Sequence, residues 1–550
     1  MVFRFLLVSL AIDTILGGVT VSERKRKLGE MTKGNHLGDV YGTTLERIKA
    51  QKGSRSRLGM NALIWVSNSE RPLRASELCH ALGVGIGSTD LDVENVPTIR
   101  TLMGCSLGLI TVEASSSIVR LVHFTLQEYL SSNPNLFQSP HSMIAEVCLT
   151  YLNFRCVREL SPTLRSAPPI VPFVEYASCY WGKHLAKENT ESATPLALLL
   201  LIGYEEHIAS RLLLLHYYQY RVWGDPNDKK FVPKGFTGLH GAAFHGIGEI
   251  VPALLATKEW SINGRDNMGR TALLWATVGG HEDVVKLLLQ LKDIDPNTAD
   301  PATGQTPLWW AAKRGNEGIV RILLGRGGVN PNIGDILYDR TPLWWAAERG
   351  HEGMVRMLLE RERINPNIAD TLWGRTPLWW AAQRGDGGVA KMLLERVDIN
   401  PNTADTQYGR TPLWWAAERG HDGVVKLLLQ REDIHPSTPD TRYGQTPLLR
   451  AAQHWCEGKV KLLLEREDLN PDIPGPSGET ALDFAAFRQH ARIVQLLSQP
   501  WPSLPIPTDT GKASKIGRDI LPQGNLLNKK RTIRLSDSGK QRKKHRGALT

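Results

Sequence analysis

The stretch TPLWWAAERG occupies residues 341–350 and returns without a change at 411–420. Near copies, TPLWWAAKRG and TPLWWAAQRG, lie at 306–315 and 376–385. A shorter signature, threonine two residues before leucine, extends the series in both directions. Its threonines are Thr237, Thr271, Thr306, Thr341, Thr376, Thr411, Thr446 and Thr480. Intervals of 34 or 35 residues predict a solenoid, in which each unit packs mainly on its two neighbours.

Every unit carries the same order of local signals. In the unit that begins at Thr341, the threonine suits the N-cap of a helix and Pro342 suits its first turn. Gly350 suits the left-handed residue that ends such a helix. Apolar residues at helical spacing over 355–359 predict a second helix, and INPNIADTLWGR at 364–375 predicts an extended, hairpin-like loop. The residue that follows the glycine is expected to cap the second helix, and it is His281, Asn316, His351, Asp386 or His421.

Two helices and a projecting loop, opened by T-P-L, resemble the ankyrin repeat over about 237–499, as eight units of which the last lacks its loop. The resemblance implies an α-solenoid that binds proteins on its concave face and loop tips. Thr237-Gly238-Leu239-His240 keeps the histidine of the family's opening. Four later units carry Trp309, Trp344, Trp379 and Trp414 instead. This departure removes a buried hydrogen-bonding imidazole and leaves open whether its contact with the loop survives.

A helical wheel separates the two tryptophans of each pair. With Leu308 at zero, Trp309 falls at about 100°, on the flank, and Trp310 at about 200°, away from the core. We expect Trp309 and its equivalents to wedge between neighbouring units. The outer tryptophans are expected to form a ladder on the concave surface, one repeat apart, and they are Trp310, Trp345, Trp380 and Trp415.

Arginine follows each outer tryptophan by four residues, at Arg314, Arg349, Arg384 and Arg419. This spacing allows a cation–π contact on a helix. Tryptophan and arginine dominate the energies of protein interfaces, so the row predicts a recognition groove. A plainer interpretation is that arginine covers the ring and the ring packs on the adjacent loop. The loop tips repeat an aromatic residue among varied neighbours, which favours either binding fingers or drift in exposed loops: Tyr338, Trp373, Tyr408 and Tyr443.

The first 236 residues carry a second resemblance. The matching stretches are LIWVSNSERP at 63–72, LCHALG at 78–83, residues 107–110, RLVHFTLQEYL at 120–130 and CLTYLNF at 148–154. They resemble the segment that follows the ATPase module in fungal NACHT–ankyrin proteins, which are NLR-like receptors. The resemblance implies a NACHT-associated helical remnant at 1–56, a helical and winged-helix-like domain at 57–160 and a helical linker at 161–236. The expected fold class is therefore all-α.

The ATPase module itself has no counterpart in this sequence. The phosphate-binding pattern G-x-x-x-x-G-K-[ST] occurs nowhere, and the glycines of GVGIGS at 83–88 are not followed by lysine. We therefore expect no nucleotide-driven switching. The resemblance then implies a truncated receptor, a decoy or an incomplete gene model.

Other catalytic and targeting signals are weak. The pairs His281-Glu282 and His351-Glu352 begin H-E-x-x-H, but the second histidine is missing, so we predict a non-enzyme without cofactor or metal. The apolar run Leu196–Ile202 is too short to span a bilayer. The run Phe5–Ile12 is interpreted as a buried helix or strand rather than a secretory signal. Six cysteines without a framework and the absence of an N-x-[ST] sequon favour an intracellular compartment.

The last 50 residues hold most of the charge. They contain twelve basic and three acidic side chains, so they account for nine of the ten net positive charges. This composition predicts a disordered tail at 500–550. Two basic clusters there resemble a bipartite nuclear-import signal: Lys530, Arg531, Arg542, Lys543 and Lys544. The sequence thus favours a cytoplasmic or nuclear protein-binding scaffold, with a chromatin- or nucleic-acid-associated factor held by its tail as the alternative.

Overall fold

A computed structural model describes residues 20–23, 37–164, 166–188, 190–219, 234–257 and 260–499. These residues are mostly helical and contain one two-stranded sheet, which confirms the all-α fold class. Two predictions lie outside the described residues. They are the buried segment at Phe5–Ile12 and the import signal of the tail at 500–550.

Within the described residues 37–164, the N-terminal region contains seven α-helices and one hairpin. The helices are α1 Leu37–Lys49, α2 Ser54–Asn68, α3 Ala75–Gly83, α4 Ile99–Cys105, α5 Phe124–Ser132, α6 Pro140–Leu152 and α7 Arg155–Arg158. Strands β1 Ile110–Val112 and β2 Val119–Leu121 pair antiparallel between α4 and α5. The β2 strand packs on α2 and α5, so this hairpin forms a small wing against the helices.

Three further helices connect this domain to the repeats: α8 Val174–Lys187, α9 Ala193–Ile202 and α10 Ile208–Gln219. Helix α8 packs along α6 and α10, and Trp65 of α2 packs edge-on against Phe173 and Tyr176 at its start. The core therefore runs without a break from the winged region into the linker helices. Among the described residues, no helix is both long enough and apolar enough to cross a membrane.

Eight helix pairs follow within residues 234–499. Their first helices are α11 Gly238–His245, α13 Ala272–Gly279, α15 Pro307–Arg314, α17 Pro342–Arg349, α19 Pro377–Arg384, α21 Pro412–Arg419, α23 Pro447–Gln453 and α25 Ala481–Phe487. Their second helices are α12 Ile250–Leu255, α14 Glu282–Gln290, α16 Glu317–Gly325, α18 Glu352–Leu359, α20 Gly387–Leu394, α22 Asp422–Leu429, α24 Glu457–Leu464 and α26 Ala491–Leu497. First helices pack on first helices and second on second, which is the solenoid that the period predicts.

The signals predicted for the first helices are confirmed. The hydroxyl of Thr341 accepts a hydrogen bond from the backbone N–H of Trp344 at 3.2 Å, as an N-cap does. Gly350 ends the helix with φ of 74°, a conformation that side-chain-bearing residues rarely adopt.

The predicted caps of the second helices are confirmed in position but not in their hydrogen bonding. The residues stand at the cap positions, but none makes a capping bond through its side chain. Two of them contact the preceding unit instead. His281 Nε2 bonds the carbonyl of Phe244 at 2.9 Å, and His421 Nε2 bonds the carbonyl of Gln383 at 3.2 Å. The histidines tie one unit to the next rather than closing their own helix.

The loops form two ladders between units. At the hairpin tips, Thr371 N–H donates to the Tyr338 carbonyl at 2.9 Å, so neighbouring tips lie side by side. Nearer the second helices, the amide of Asn367 donates to the carbonyl of Asp398 and accepts from the N–H of Asn400, both at 2.7 Å. The same amide bridge occurs at Asn263, Asn297, Asn332 and Asn402. These bridges fix the spacing at which the loops present their tips.

Candidate functional site

The paired tryptophans form one continuous ladder of eight indoles. Within each pair the ring centroids lie 5.0–5.5 Å apart. Between units, Trp309 contacts Trp345, Trp344 contacts Trp380, and Trp379 contacts Trp415, at 5.2–5.4 Å. All contacts are edge-to-face, the arrangement that the charge distribution of aromatic rings favours. We call this set the aromatic ladder, and it locks four successive first helices together.

The inner indoles keep the hydrogen bond that histidine makes in the first unit. His240 Nε2 bonds the carbonyl of Arg270, at the end of the next loop, at 3.2 Å. The indole N–H of Trp309 donates to the equivalent carbonyl, that of Arg340, at 2.7 Å. Trp344 and Trp414 do the same with Arg375 and Gln445, while Trp379 donates to Asp405. In three of the four units with an inner tryptophan, the indole therefore replaces the imidazole and its loop contact survives.

The outer tryptophans are less exposed than the helical wheel predicts. Trp345 is 8% exposed, and the rings of Trp310 and Trp380 pack against the same core. The wheel describes one helix alone, whereas the rings of Trp345, Trp380 and Trp415 lie against the inner ring of the preceding unit. The ladder exists, but its rings are mostly structural contacts and only partly a free surface.

A second set of arginines, missed by the sequence reasoning, lies over the ladder. Each precedes the threonine of its unit and sits between the aromatic residue of its own hairpin tip and an inner tryptophan. The Arg375 guanidinium lies 4.2 Å from the ring centroid of Trp373 and 4.5 Å from that of Trp379. Arg340 lies in the same way between Tyr338 and Trp344, and Arg410 between Tyr408 and Trp414. We call these three the clamped arginines. The recurring R-T-P-L motif marks the positions of these arginines in the sequence. It does not predict that the aromatic residue of the hairpin tip packs on the guanidinium.

Comparisons with known proteins match two parts of this chain to family models. The family model of ankyrin repeats matches residues 185–300, 291–370 and 362–440. The chain contains ankyrin repeats. A second family model, described as the winged helix domain of GPI inositol-deacylase, matches residues 45–142. The crystal structure of an ankyrin repeat domain from Acinetobacter baumannii AYE is 32% identical, covers 35% of this chain and 96% of that one, and has a TM-score of 0.32. No curated protein sequence matches this chain.

The predicted outer arginines of the ankyrin array are exposed and lie beside the ladder. Arg314, Arg349 and Arg419 stand 5.4, 6.0 and 5.6 Å from the centroids of their own outer tryptophans, as the four-residue spacing predicts. Arg384 differs, because it makes no such ring contact and pairs with Asp386 at 3.1 Å; Arg349 keeps its ring contact and also pairs with Glu348 at 3.0 Å. Lys313 takes a further cationic position, 4.7 Å from Trp309 and 4.6 Å from Trp345, and burial lowers its pKa.

The four predicted tip aromatics do not share one environment. Tyr338, Trp373 and Tyr408 are half-buried because each packs on a clamped arginine. Tyr443 is exposed and carries Arg442 over its ring at 5.1 Å. The freely accessible apolar side chains of the central tips are instead aliphatic: Ile336, Leu337 and Leu372.

Buried aspartates hold the hairpins in shape. Asp370 Oδ1 accepts the N–H groups of Leu372 and Trp373, and its Oδ2 accepts that of Arg375. Equivalent aspartates occur in the neighbouring loops at Asp300, Asp335, Asp405 and Asp440, and all are buried. Their negative charge offsets part of the arginine charge, as Asp370 and Asp405 do for Arg375. Among the described residues, no group of three or more His, Cys, Asp or Glu side chains is arranged to hold a metal.

Proposed function

We propose that this chain is a non-catalytic protein-binding scaffold whose partner docks on the face formed by the first helices and the hairpin tips, the concave face of an ankyrin array. One observation carries the proposal: the aromatic ladder holds guanidinium groups at regular intervals along this face and leaves aliphatic side chains exposed at the adjacent tips. Arginine at a rigid, partly desolvated position contributes strongly to protein interfaces, and preorganisation lowers the entropic cost of binding.

A matched pair of charge-reversal variants tests this proposal. The first variant changes the exposed arginines of the first helices to glutamate: R314E, R349E, R384E and R419E. The control changes exposed basic residues on the second helices of the same four units: R321E, R356E, K391E and K426E, all exposed. Peptides selected by display on the full chain should bind the control within about threefold of the unchanged protein. They should bind the first variant at least tenfold more weakly.

The reverse ranking would place the partner on the second helices and overturn the proposal. Circular dichroism of both variants must show unchanged helix content, because a loss of fold would weaken every ligand alike. Both variants change net charge by the same amount, so a nonspecific electrostatic effect predicts equal losses.

We further propose that the scaffold derives from an NLR-like receptor of the NACHT–ankyrin type. A winged-helix match placed before ankyrin repeats supports this order of domains, together with the stretches quoted above from residues 63–154. Sequencing complete transcripts tests the idea. A coding segment with a phosphate-binding loop upstream of residue 1 supports it, and repeated recovery of transcripts that encode an unrelated upstream domain contradicts it.

The alternative, a nuclear chromatin- or nucleic-acid-associated factor, rests on the basic residues of the tail alone. A tail-driven complex would weaken steeply with salt, whereas a complex on the aromatic face would weaken less, because part of its energy is apolar burial. Titration of the selected ligand at two salt concentrations separates them.

A further inference from the structure

Two of the clamped arginines, Arg340 and Arg375, form no salt bridge with a described residue, although Asp370 and Asp405 lie near enough to Arg375 to interact with its charge. The Nε atoms of Arg340 and Arg375 are buried without a hydrogen-bond partner. Each guanidinium lies between two aromatic rings, with its carbon 4.2–4.7 Å from both ring centroids, and these contacts restrict its orientation. A planar, preorganised guanidinium with free donors is suited to bidentate binding of a carboxylate.

The neighbouring units show why these two differ. Arg270 pairs with Asp300 at 3.0 Å and Arg410 with Asp440 at 3.4 Å, each thirty residues later. The equivalent carboxylates for Arg340 and Arg375 are Asp370 and Asp405. The carboxylate of Asp370 accepts three backbone N–H groups of its own loop.

Asp405 is used by a different set of donors. Its Oδ2 accepts the indole N–H groups of Trp379 and Trp415, at 3.3 and 3.0 Å, and its Oδ1 accepts the N–H of Tyr408. Asp370 and Asp405 therefore bond to loop N–H groups and indoles, and neither forms a salt bridge with Arg340 or Arg375.

Exposed aliphatic side chains flank these same two arginines. Ile336 and Leu337, on the tip before Arg340, are 65% and 61% exposed, and Leu372, on the tip before Arg375, is 41% exposed. The tip backbones are joined by the hydrogen bond from Thr371 to Tyr338, so the three side chains lie on adjacent fingers. Apolar groups beside an unpaired cation are typical of an interaction surface rather than of a solvated loop.

We propose that the Arg340–Arg375 pair and the adjacent aliphatic tips bind an extended acidic segment of a partner protein. The segment has two carboxylates three residues apart and an apolar side chain next to them. Neighbouring helices of an array lie about 10 Å apart, and three residues of an extended, polyproline-type chain advance about 9 Å. Each carboxylate thus meets one guanidinium, while the apolar residue covers the tips. This inference rests on the proposed protein-binding function and names the partner chemistry.

The ladder favours a peptide over a single-stranded nucleic acid. Nonspecific single-strand binders stack bases on exposed aromatic faces. Here the inner indoles are buried, and arginine occupies one face of each of the half-buried tip rings Tyr338 and Trp373, so little ring surface is left for stacking of a base. Carboxylates need only the guanidinium edge, which is the part left open.

Synthetic peptides test the proposal on the full chain. The probe is a fluorescent, proline-rich twelve-residue peptide with two glutamates three residues apart and one leucine beside them. The matched control peptide has the same composition with the glutamates adjacent. We expect the probe to bind at least fivefold more tightly than the control peptide. Arg340→Gln and Arg375→Gln should each weaken the probe about tenfold, since each removes a charge-assisted hydrogen bond.

Arg410→Gln is the matched protein control. Arg410 occupies the same repeat position and the same aromatic clamp, but it pairs with Asp440, so its loss should change probe affinity less than threefold. Equal losses of probe affinity in the Arg375→Gln and Arg410→Gln variants would overturn the proposal. Equal affinities of the probe and the control peptide for the unchanged protein would also overturn it. A twelve-nucleotide oligothymidine is tested beside the probe. If it binds more tightly than the probe and loses affinity in the same variants, the site binds single-stranded nucleic acid and not an acidic peptide.

Failure of this inference is distinguishable from failure of the proposed function. One outcome is that the probe fails to bind while display-selected peptides still lose affinity when Arg314, Arg349, Arg384 and Arg419 are changed to glutamate. That result contradicts the acidic-segment proposal and supports the scaffold function. If the selected peptides are also insensitive to those arginines, both fall. Arg340→Lys and Arg375→Lys give a second measure, because they keep the charge and lose the planar fork. They should recover less than half of the binding free energy lost in the glutamine variants if bidentate geometry matters.

Discussion

Each tryptophan of the ladder contributes a large ring and one N–H group, and the two positions use them differently. The inner indoles are buried and donate to a loop carbonyl or to Asp405. The outer indoles of Trp310, Trp345 and Trp380 are buried at the nitrogen without a hydrogen-bond partner. The inner position therefore uses the indole N–H, while three of the four outer positions use only the wide ring; Trp415 is the exception, because its N–H donates to Asp405.

Substitution by phenylalanine should separate these roles. Trp344→Phe removes the 2.9 Å hydrogen bond to the Arg375 carbonyl and leaves that buried carbonyl without its donor. Trp345→Phe removes an N–H that has no partner. Beyond the shared loss of ring area, Trp344→Phe should lower the free energy of unfolding by about 1–2 kcal/mol more. Urea denaturation measures the difference, and an equal loss at both positions would contradict the assignment.

Truncation to alanine should be costly at both positions. Trp345 is almost as buried as Trp344, so we expect each alanine variant to lose about 3–5 kcal/mol of unfolding free energy. Trp455→Ala is the control, because that ring is 62% exposed. A loss below about 1 kcal/mol for Trp345→Ala would show that the outer ring faces solvent, as the helical wheel alone suggested.

At the scale of the element, the repeating unit was largely predictable and the contacts between units were not. Thr341, Pro342 and Gly350 specify the first helix through local backbone chemistry, which a single sequence shows directly. The positions of Trp345 against Trp309 and of Trp380 against Trp344 depend on where the neighbouring unit lies. The predicted capping bonds of the second helices are missing for the same reason, because His281 and His421 find partners in the preceding unit.

The asparagine bridges between loops allow a direct test of coupling between units. Asn367→Ala removes both hydrogen bonds to the next loop, and we expect it to lower the free energy of unfolding by about 1–3 kcal/mol. Asn367→Asp keeps the acceptor and loses the donor, so its loss should be intermediate. Thermal and urea unfolding measure both variants, and a neutral Asn367→Ala would show that stacking of the helices alone couples the units.

At the scale of the whole molecule, buried histidines link stability to pH. Burial lowers the pKa of His184 and of His245 to about 3, and that of His207 to about 4. In the unfolded chain histidine titrates near about 6.5. Below that pH the unfolded state takes up protons that the folded state cannot, so stability is full above about 6.5 and is lost as the pH falls.

Below about pH 6.5, each of these histidines should lower the free energy of unfolding by up to about 1.4 kcal/mol per pH unit. Urea denaturation at pH 7 and pH 5.5 measures this loss. His245→Phe removes one titrating group whose Nε2 has no hydrogen-bond partner, so the variant should show a shallower dependence. A free energy of unfolding that does not change between the two pH values would contradict the burial of these groups.

The central claim is that ligands dock on the face built by the first helices and hairpins and held rigid by the aromatic ladder. Hydrogen–deuterium exchange with and without a display-selected ligand tests it most directly. Bound ligand should slow exchange in the hairpins at 335–340 and 370–375 and leave the second helices Glu352–Leu359 and Gly387–Leu394 unchanged. Protection confined to those second helices, or to the winged-helix region at 45–142, would contradict the account.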